Sequence, residues 1–136
     1  MDKALQLLSL ARKGRRVEVG EEPVGACIRT GHARLVIVAG DASEHTLRRI
    51  RNSVAGGNSP YLQVAYTKQE LGWSMGRGDC AVAALTDPAL ARSFVQALGE
   101  PEKYADLLAG LNVRVERIQK RRKAEKTRKQ QQDGKK

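Results

Sequence analysis

Aromatic residues are nearly absent from this chain: one Trp, one Phe and three Tyr in 136 residues. Sheet platforms of the RRM or OB type stack several bases on several rings, so a platform of that kind is not expected. No apolar run approaches the roughly 20 residues that a membrane-spanning helix requires. Only two cysteines are present, Cys27 and Cys80, far apart and in apolar settings. With His32 and His45 they form no metal-ligand spacing, so both thiols are expected as small core residues in a reducing compartment. The Gly-x-x-x-x-Gly-Lys-Ser/Thr phosphate loop and the dinucleotide glycine pattern are missing as well. No Ser/His/Asp or Cys/His set can be assembled. Catalysis, a cofactor, a metal, a small-molecule substrate and a membrane partner are therefore not expected.

Positive charge is what the chain has in excess, and it is unevenly spread. The total is +10, from 25 Lys/Arg against 15 Asp/Glu. From Arg114 onward, 11 Lys/Arg face three acids and leave +8; residues 1–113 hold 14 basic and 12 acidic residues and carry only +2. Such a field attracts a polyanion at long range. The opening MDKALQLLSLARKG is broken by Gln6 and Ser9 and has Asp2 where a signal peptide is basic. An amphipathic helix of a cytoplasmic protein is the better reading.

The stretch Ala33–Ser43, ARLVIVAGDAS, sets the fold class. Leu35, Val36, Ile37 and Val38 predict a strand buried on both faces over Arg34–Ala39, ending at Gly40-Asp41 with Ser43 capping a helix. Before it, Asp2–Lys13 predicts a helix stopped by Gly14, Arg16–Val19 a short strand, and Glu21 to Gly31 a helix opened by Pro23. After it come a helix over Ser43–Val54, a strand over Tyr61–Tyr66 and a capping box at Thr67-Lys68-Gln69-Glu70. Gly72, Gly76 and Gly78 are expected to limit that helix and leave a pliable loop. Cys80–Leu85 reads as the last strand, and Asp87-Pro88 starts a helix running to about Leu98. Strands alternating with helices imply an α/β fold, a three-layer α/β/α sandwich around a mixed four-stranded sheet. Gly99-Glu100-Pro101 marks the expected boundary between a domain of residues 1–99 and a basic extension, 100–136. In that extension Tyr104–Leu108 reads as a docking helix, Asn112 as the cap of a basic helix, and the end past Lys120 as disordered when free.

ARLVIVAGDAS followed by TKQELGWSMGRGDCAVAAL at Thr67–Leu85 resembles the kink-turn RNA-binding ribosomal protein superfamily of the L7Ae, L30e and Gadd45 type. The LARKG…V…GEE opening at Leu10–Glu22 is most similar to its small bacterial YlxQ-type branch, and the likeness spans about Ala4–Leu98. It implies RNA binding without catalysis, with ribosomal or other structured RNA and the translation machinery as partners. The kink-turn binders carry Gly-x-Asn-Glu-x-x-Lys in their first contact loop. Here Gly14 matches, but Arg16, Val17 and Gly20 stand where Asn, Glu and Lys would be. Arg77-Gly78-Asp79 occupies a second contact loop that is usually apolar at its tip. Base-edge readout depends on donor and acceptor geometry, so kink-turn specificity does not transfer.

The expected RNA-binding residues are Lys13, Gly14, Arg15, Arg16, Gly20, Asp41, Gly76, Arg77 and Gly78. Arg12-Lys13-Gly14-Arg15-Arg16 gathers four cations around a glycine, suited to phosphate and exposed bases, although cations also favour a helix C-terminus on their own. Lys13–Arg16 and the Gly76–Asp79 loop are expected to form one contact surface. Asp41 and Ser43 serve turn and cap, and the resemblance adds a place beside RNA for Asp41. Trp73 is expected to pack against the domain, with a stacking platform as the alternative. Two other functions stay open: a protein–protein interaction module of the same fold, and an RNA-docking partner of an RNA-modifying enzyme.

Overall fold

Leu35–Val38 form a strand whose four side chains are all buried, as a strand covered on both faces must be. A computed structural model describes residues 2–133, with side chains through Arg128. In chain order the elements are α1 (Lys3–Lys13), β1 (Val17–Val19), α2 (Glu21–Arg29), β2 (Leu35–Val38), α3 (Glu44–Ala55), β3 (Tyr61–Gln63), α4 (Lys68–Ser74), β4 (Val82–Leu85), α5 (Pro88–Ala97) and α6 (Ala105–Asp133). The sheet order is β1-β4-β2-β3. β4 runs antiparallel to both β1 and β2, while β2 and β3 are parallel and joined through α3. The α/β/α sandwich around a mixed four-stranded sheet is therefore present.

Alternation along the strands builds two cores. Leu35, Ile37, Ala83 and Leu85 face one layer with Leu8, Leu71, Phe94 and Leu111, from α1, α4, α5 and α6. Val36, Val38, Val82 and Ala84 face the other with Val24, Ile28, Leu47 and Ile50, from α2 and α3. Cys27 and Cys80 are buried free thiols within these layers, and burial pushes both up from the usual thiol range. The helix starts follow the capping rules: Asp2, Ser43, Thr67 and Asp87 each accept a backbone N–H of the first turn. Thr67 and Glu70 complete the reciprocal capping box.

Three elements differ from the sequence reading. The strand expected over Tyr61–Tyr66 stops at Gln63, because its partner β2 ends at Val38 and the chain crosses over Gly40. A Cβ on Gly40 would lie 2.7 Å from the Val64 carbonyl oxygen, so only glycine permits that crossing. Gly72 does not limit α4 but lies inside it. In place of a docking helix and a second helix capped by Asn112, α6 is one continuous helix. Leu111 and Val115, one turn apart, are buried against the core, so the folded body continues past Gly99. Asn112 lies within α6, where its carbonyl oxygen accepts a hydrogen bond from Arg92 at 3.4 Å. Residues 134–136 of the basic extension lie outside the described residues.

Candidate nucleic-acid interface

The antiparallel pairing of β4 with β1 and β2 decides which loops meet. The start of β4 lies between the ends of β1 and β2: Gly20 N–H donates to the Val82 carbonyl, and Ala39 N–H to that of Ala81. Asp41 follows β2, and its carboxylate accepts the Lys68 N–H at 2.8 Å. The Lys68 carbonyl in turn accepts from Cys80 N–H at 2.9 Å. Gly20, Asp41, Lys68 and the Gly76–Asp79 loop therefore share one rim of the sheet. Asp41 is held as a brace between β2 and α4, a long-range contact rather than a local turn bond.

The loop on this rim is pinned rather than pliable. A Cβ on Gly72 would fall onto the Gly78 carbonyl oxygen, so the loop backbone rests directly on α4. Gly76 takes φ +70°, and the Arg77 and Gly76 N–H groups close the helix on the Gly72 and Trp73 carbonyls. That is a Schellman closure, which satisfies the last helix carbonyls. It leaves Arg77, Gly78 and Asp79 exposed. Trp73 is also exposed, at 66% of its surface, against the expectation that it packs on the domain. The reason is the shortness of α4. Leu71 and Met75 take its core face, Gly72 takes the face under the loop, and Trp73 is turned outward.

Two anchors that the sequence reading missed stiffen the same end. The Thr46 hydroxyl donates to Glu21 Oε1 at 2.6 Å, and Arg49 Nη1 donates to Oε2 at 3.0 Å. The Thr46 bond, opposed by burial and helped by Arg49, holds the Glu21 carboxyl below its usual range. This ties the first turn of α2 to α3. The partners lie about 25 residues apart in sequence, and no local pattern announces them.

Lys13, Gly14, Arg15 and Arg16 are at the opposite rim. Val17 pairs with Leu85, and the Arg16 carbonyl accepts the Thr86 N–H at 3.0 Å. The Arg16 guanidinium lies 3.7 Å from Asp87. The three residues of β1 separate this corner from Gly20 by about 10 Å of strand. The expected single surface of Lys13–Arg16 plus Gly76–Asp79 is therefore two surfaces, one on each end of the sheet. Gly14 is not the left-handed residue closing α1, since its φ is −84°. Arg15 takes that place with φ +57°, and among the described residues it alone does so without being glycine. The Arg15 and Arg16 N–H groups donate to Arg12 and Ala11, which completes the same closure seen in α4. Arg12, Lys13 and Arg15 are exposed and make no ion pair among the described residues. No group of His, Cys, Asp and Glu able to hold a metal occurs among them either.

The geometry has relatives. The model of the Ribosomal protein L7Ae/L30e/S12e/Gadd45 family matches residues 2–95. The chain is 34% identical over 92 residues to the RNA-binding protein YlxQ of Bacillus subtilis (strain 168), covering 68% of this chain and 91% of that one. It is 31% identical over 75 residues to the protein of the same name from Enterococcus faecium, covering 55% of this chain and 72% of that one. A solved structure of a protein with unknown function from Bacillus halodurans C superposes with TM-score 0.68 at 29% identity, over 74% of this chain and all of the other. The Giardia lamblia 15.5kD RNA binding protein shares the fold, with TM-score 0.60 at 22% identity, covering 73% and 84% of the two chains. This chain belongs to the Ribosomal protein L7Ae/L30e/S12e/Gadd45 family.

Proposed function

We propose that this chain is a noncatalytic RNA-binding protein of the cytoplasm that grips structured RNA, ribosomal RNA first, and acts in ribosome assembly or translation. The observation that carries this reading is Trp73, 66% exposed near the end of α4, with exposed Arg77 four residues further on in the loop that reaches the rim of Gly20 and Asp41. An indole left in water at this cost offers an unpaired base a face to stack on, worth about 1–3 kcal/mol per base. Arg77, exposed in the loop that follows α4, supplies a planar fork for phosphate or a second base. The pinned Gly76–Asp79 backbone keeps both groups in place before RNA arrives, which lowers the ordering cost. Family membership and the names of the two bacterial relatives support the same reading.

The opposite rim and α6 have a different part. Arg12, Lys13 and Arg15 with the cations of α6 attract phosphates without reading sequence. Anisotropy with structured fragments of ribosomal RNA tests the division. Trp73→Ala together with Arg77→Ala should weaken binding at least about tenfold at constant salt, with folding unchanged. Arg15→Ala together with Arg16→Ala should flatten the dependence of log affinity on log salt by about one contact for each phosphate lost. Full affinity in the Trp73/Arg77 variant rejects this rim as the RNA surface.

A further inference from the structure

A cleft of about 460 Å³ opens at the rim opposite Gly20, where β2 begins. It lies between the end of α2, the turn from α3 to β3, and α6. Three arginines from separate stretches of chain line it: Arg29 of α2, Arg34 just before β2 and Arg114 of α6. No Asp or Glu is among the lining residues, and none of the three arginines joins an ion pair among the described residues. Acids line the neighbouring grooves instead: Glu18 on the α2 side, Glu21 and Glu22 in the groove that shares Arg29, and Asp106 in the one that shares Arg114.

The arginines are also short of hydrogen-bond partners. Arg34 Nε is buried and makes no hydrogen bond among the described residues. Among the described residues, Arg114 donates only to the Asn58 carbonyl, at 3.1 Å. Burial, then the positive fields of Arg34 and Arg117, lower the Arg114 pKa, which is the direction expected where like charges gather without a counter-charge. Folding does not normally bury a guanidinium N–H without an acceptor, nor crowd cations, unless something else completes the site. The remaining wall suits one kind of guest. Gly57 lets backbone come close, and Ser53 and Ser59 add hydroxyl donors. Arginine forks match the paired oxygens of a phosphate, and the volume is within the range of small-ligand sites.

We propose that this cleft is a phosphate-binding site, held by Arg29, Arg34 and Arg114, which takes either the phosphate of a free phosphorylated small molecule or a backbone phosphate of RNA. The site stands apart from the Trp73 rim and does not rest on the RNA reading. Its effect on the fold is to give α6 a task there, since Arg114 closes the cleft from that helix.

The test uses the full chain with inorganic phosphate and, separately, a structured ribosomal RNA fragment. Phosphate is titrated at constant ionic strength while the Arg34 Nε–H resonance is followed by NMR. Saturable movement of that resonance, weakened at least tenfold in Arg29→Gln and in Arg114→Gln, supports a site for free phosphate. If phosphate leaves it unmoved but RNA moves it, and Arg29→Gln lowers the salt slope of RNA binding by about one contact, the occupant is RNA phosphate. Arg29 is exposed, so its variant tests the site without disturbing the core. No movement with either probe overturns the proposal. Loss of RNA binding alone, with the phosphate response intact, counts against the Trp73 rim and not against this site.

Discussion

The helices α1 and α4 end in the same closure, yet one uses glycine at the left-handed position and the other uses arginine. Gly76 has φ +70° and Arg15 φ +57°, and each is followed by an arginine whose N–H completes the turn. Gly31 and Gly99, just past α2 and α5, also take positive φ. Arg15 is thus the exception among four helix ends. An L-residue there is disfavoured by about 1 kcal/mol relative to glycine. Strain of this kind gathers at working surfaces. The difference teaches that α1 gives up stability to keep a cation at its corner, while α4 keeps a relaxed backbone and displays Trp73 and Arg77 around it.

Four changes break or sharpen that contrast. Gly72→Ala should be the most damaging, destabilising by about 2–3 kcal/mol in urea unfolding, because its methyl meets the Gly78 backbone rather than a flexible side chain. Gly76→Arg makes α4 resemble α1. Nothing surrounds the added Cβ, so only the backbone cost, about 1 kcal/mol, should appear. Arg15→Gly is the reverse exchange and should stabilise by about 0.5–1 kcal/mol while flattening the salt dependence of RNA binding. A destabilised Arg15→Gly would show that the left-handed arginine is held by contacts of its own.

The smallest effect concerns the start of α1. Burial raises the Asp2 carboxyl, but the Leu5 N–H and the Tyr66 hydroxyl, at 2.6 Å, outweigh it and hold the carboxyl below its usual range. Burial and the Asp2 bond push the Tyr66 phenol up. A carboxyl depressed in the folded state contributes stability above its unfolded pKa, near 4, and loses it as pH falls through the lower folded value. Tyr66→Phe should therefore be less acid-sensitive than wild type between about pH 4 and pH 2, as read by urea midpoints across that window.

Much of the fold was legible because it is written locally. Four consecutive apolar residues at Leu35–Val38, the Thr67/Glu70 box and the Asp87-Pro88 start each need only near neighbours. The residue types of the candidate site were legible for the same reason. Their grouping was not, since it follows from β4 lying between β1 and β2, a pairing of strands more than 60 residues apart for Val17 and Leu85. That pairing sends Arg16 and Arg77 to opposite rims. Trp73 departs from the general tendency of indoles to be buried because α4 has only seven residues and its inward positions are already taken. Leu111 and Val115 were missed in a segment whose overall composition is dominated by charge.

Trp73 is the only tryptophan in the chain, so its fluorescence reports directly on the rim that carries the functional proposal. Titration of the full chain with a structured ribosomal RNA fragment should quench and shift its emission, saturating with the same midpoint as anisotropy of the labelled RNA. Emission that stays constant while anisotropy reports complete binding would contradict the assignment and move the RNA surface to the arginine-bearing end of the sheet.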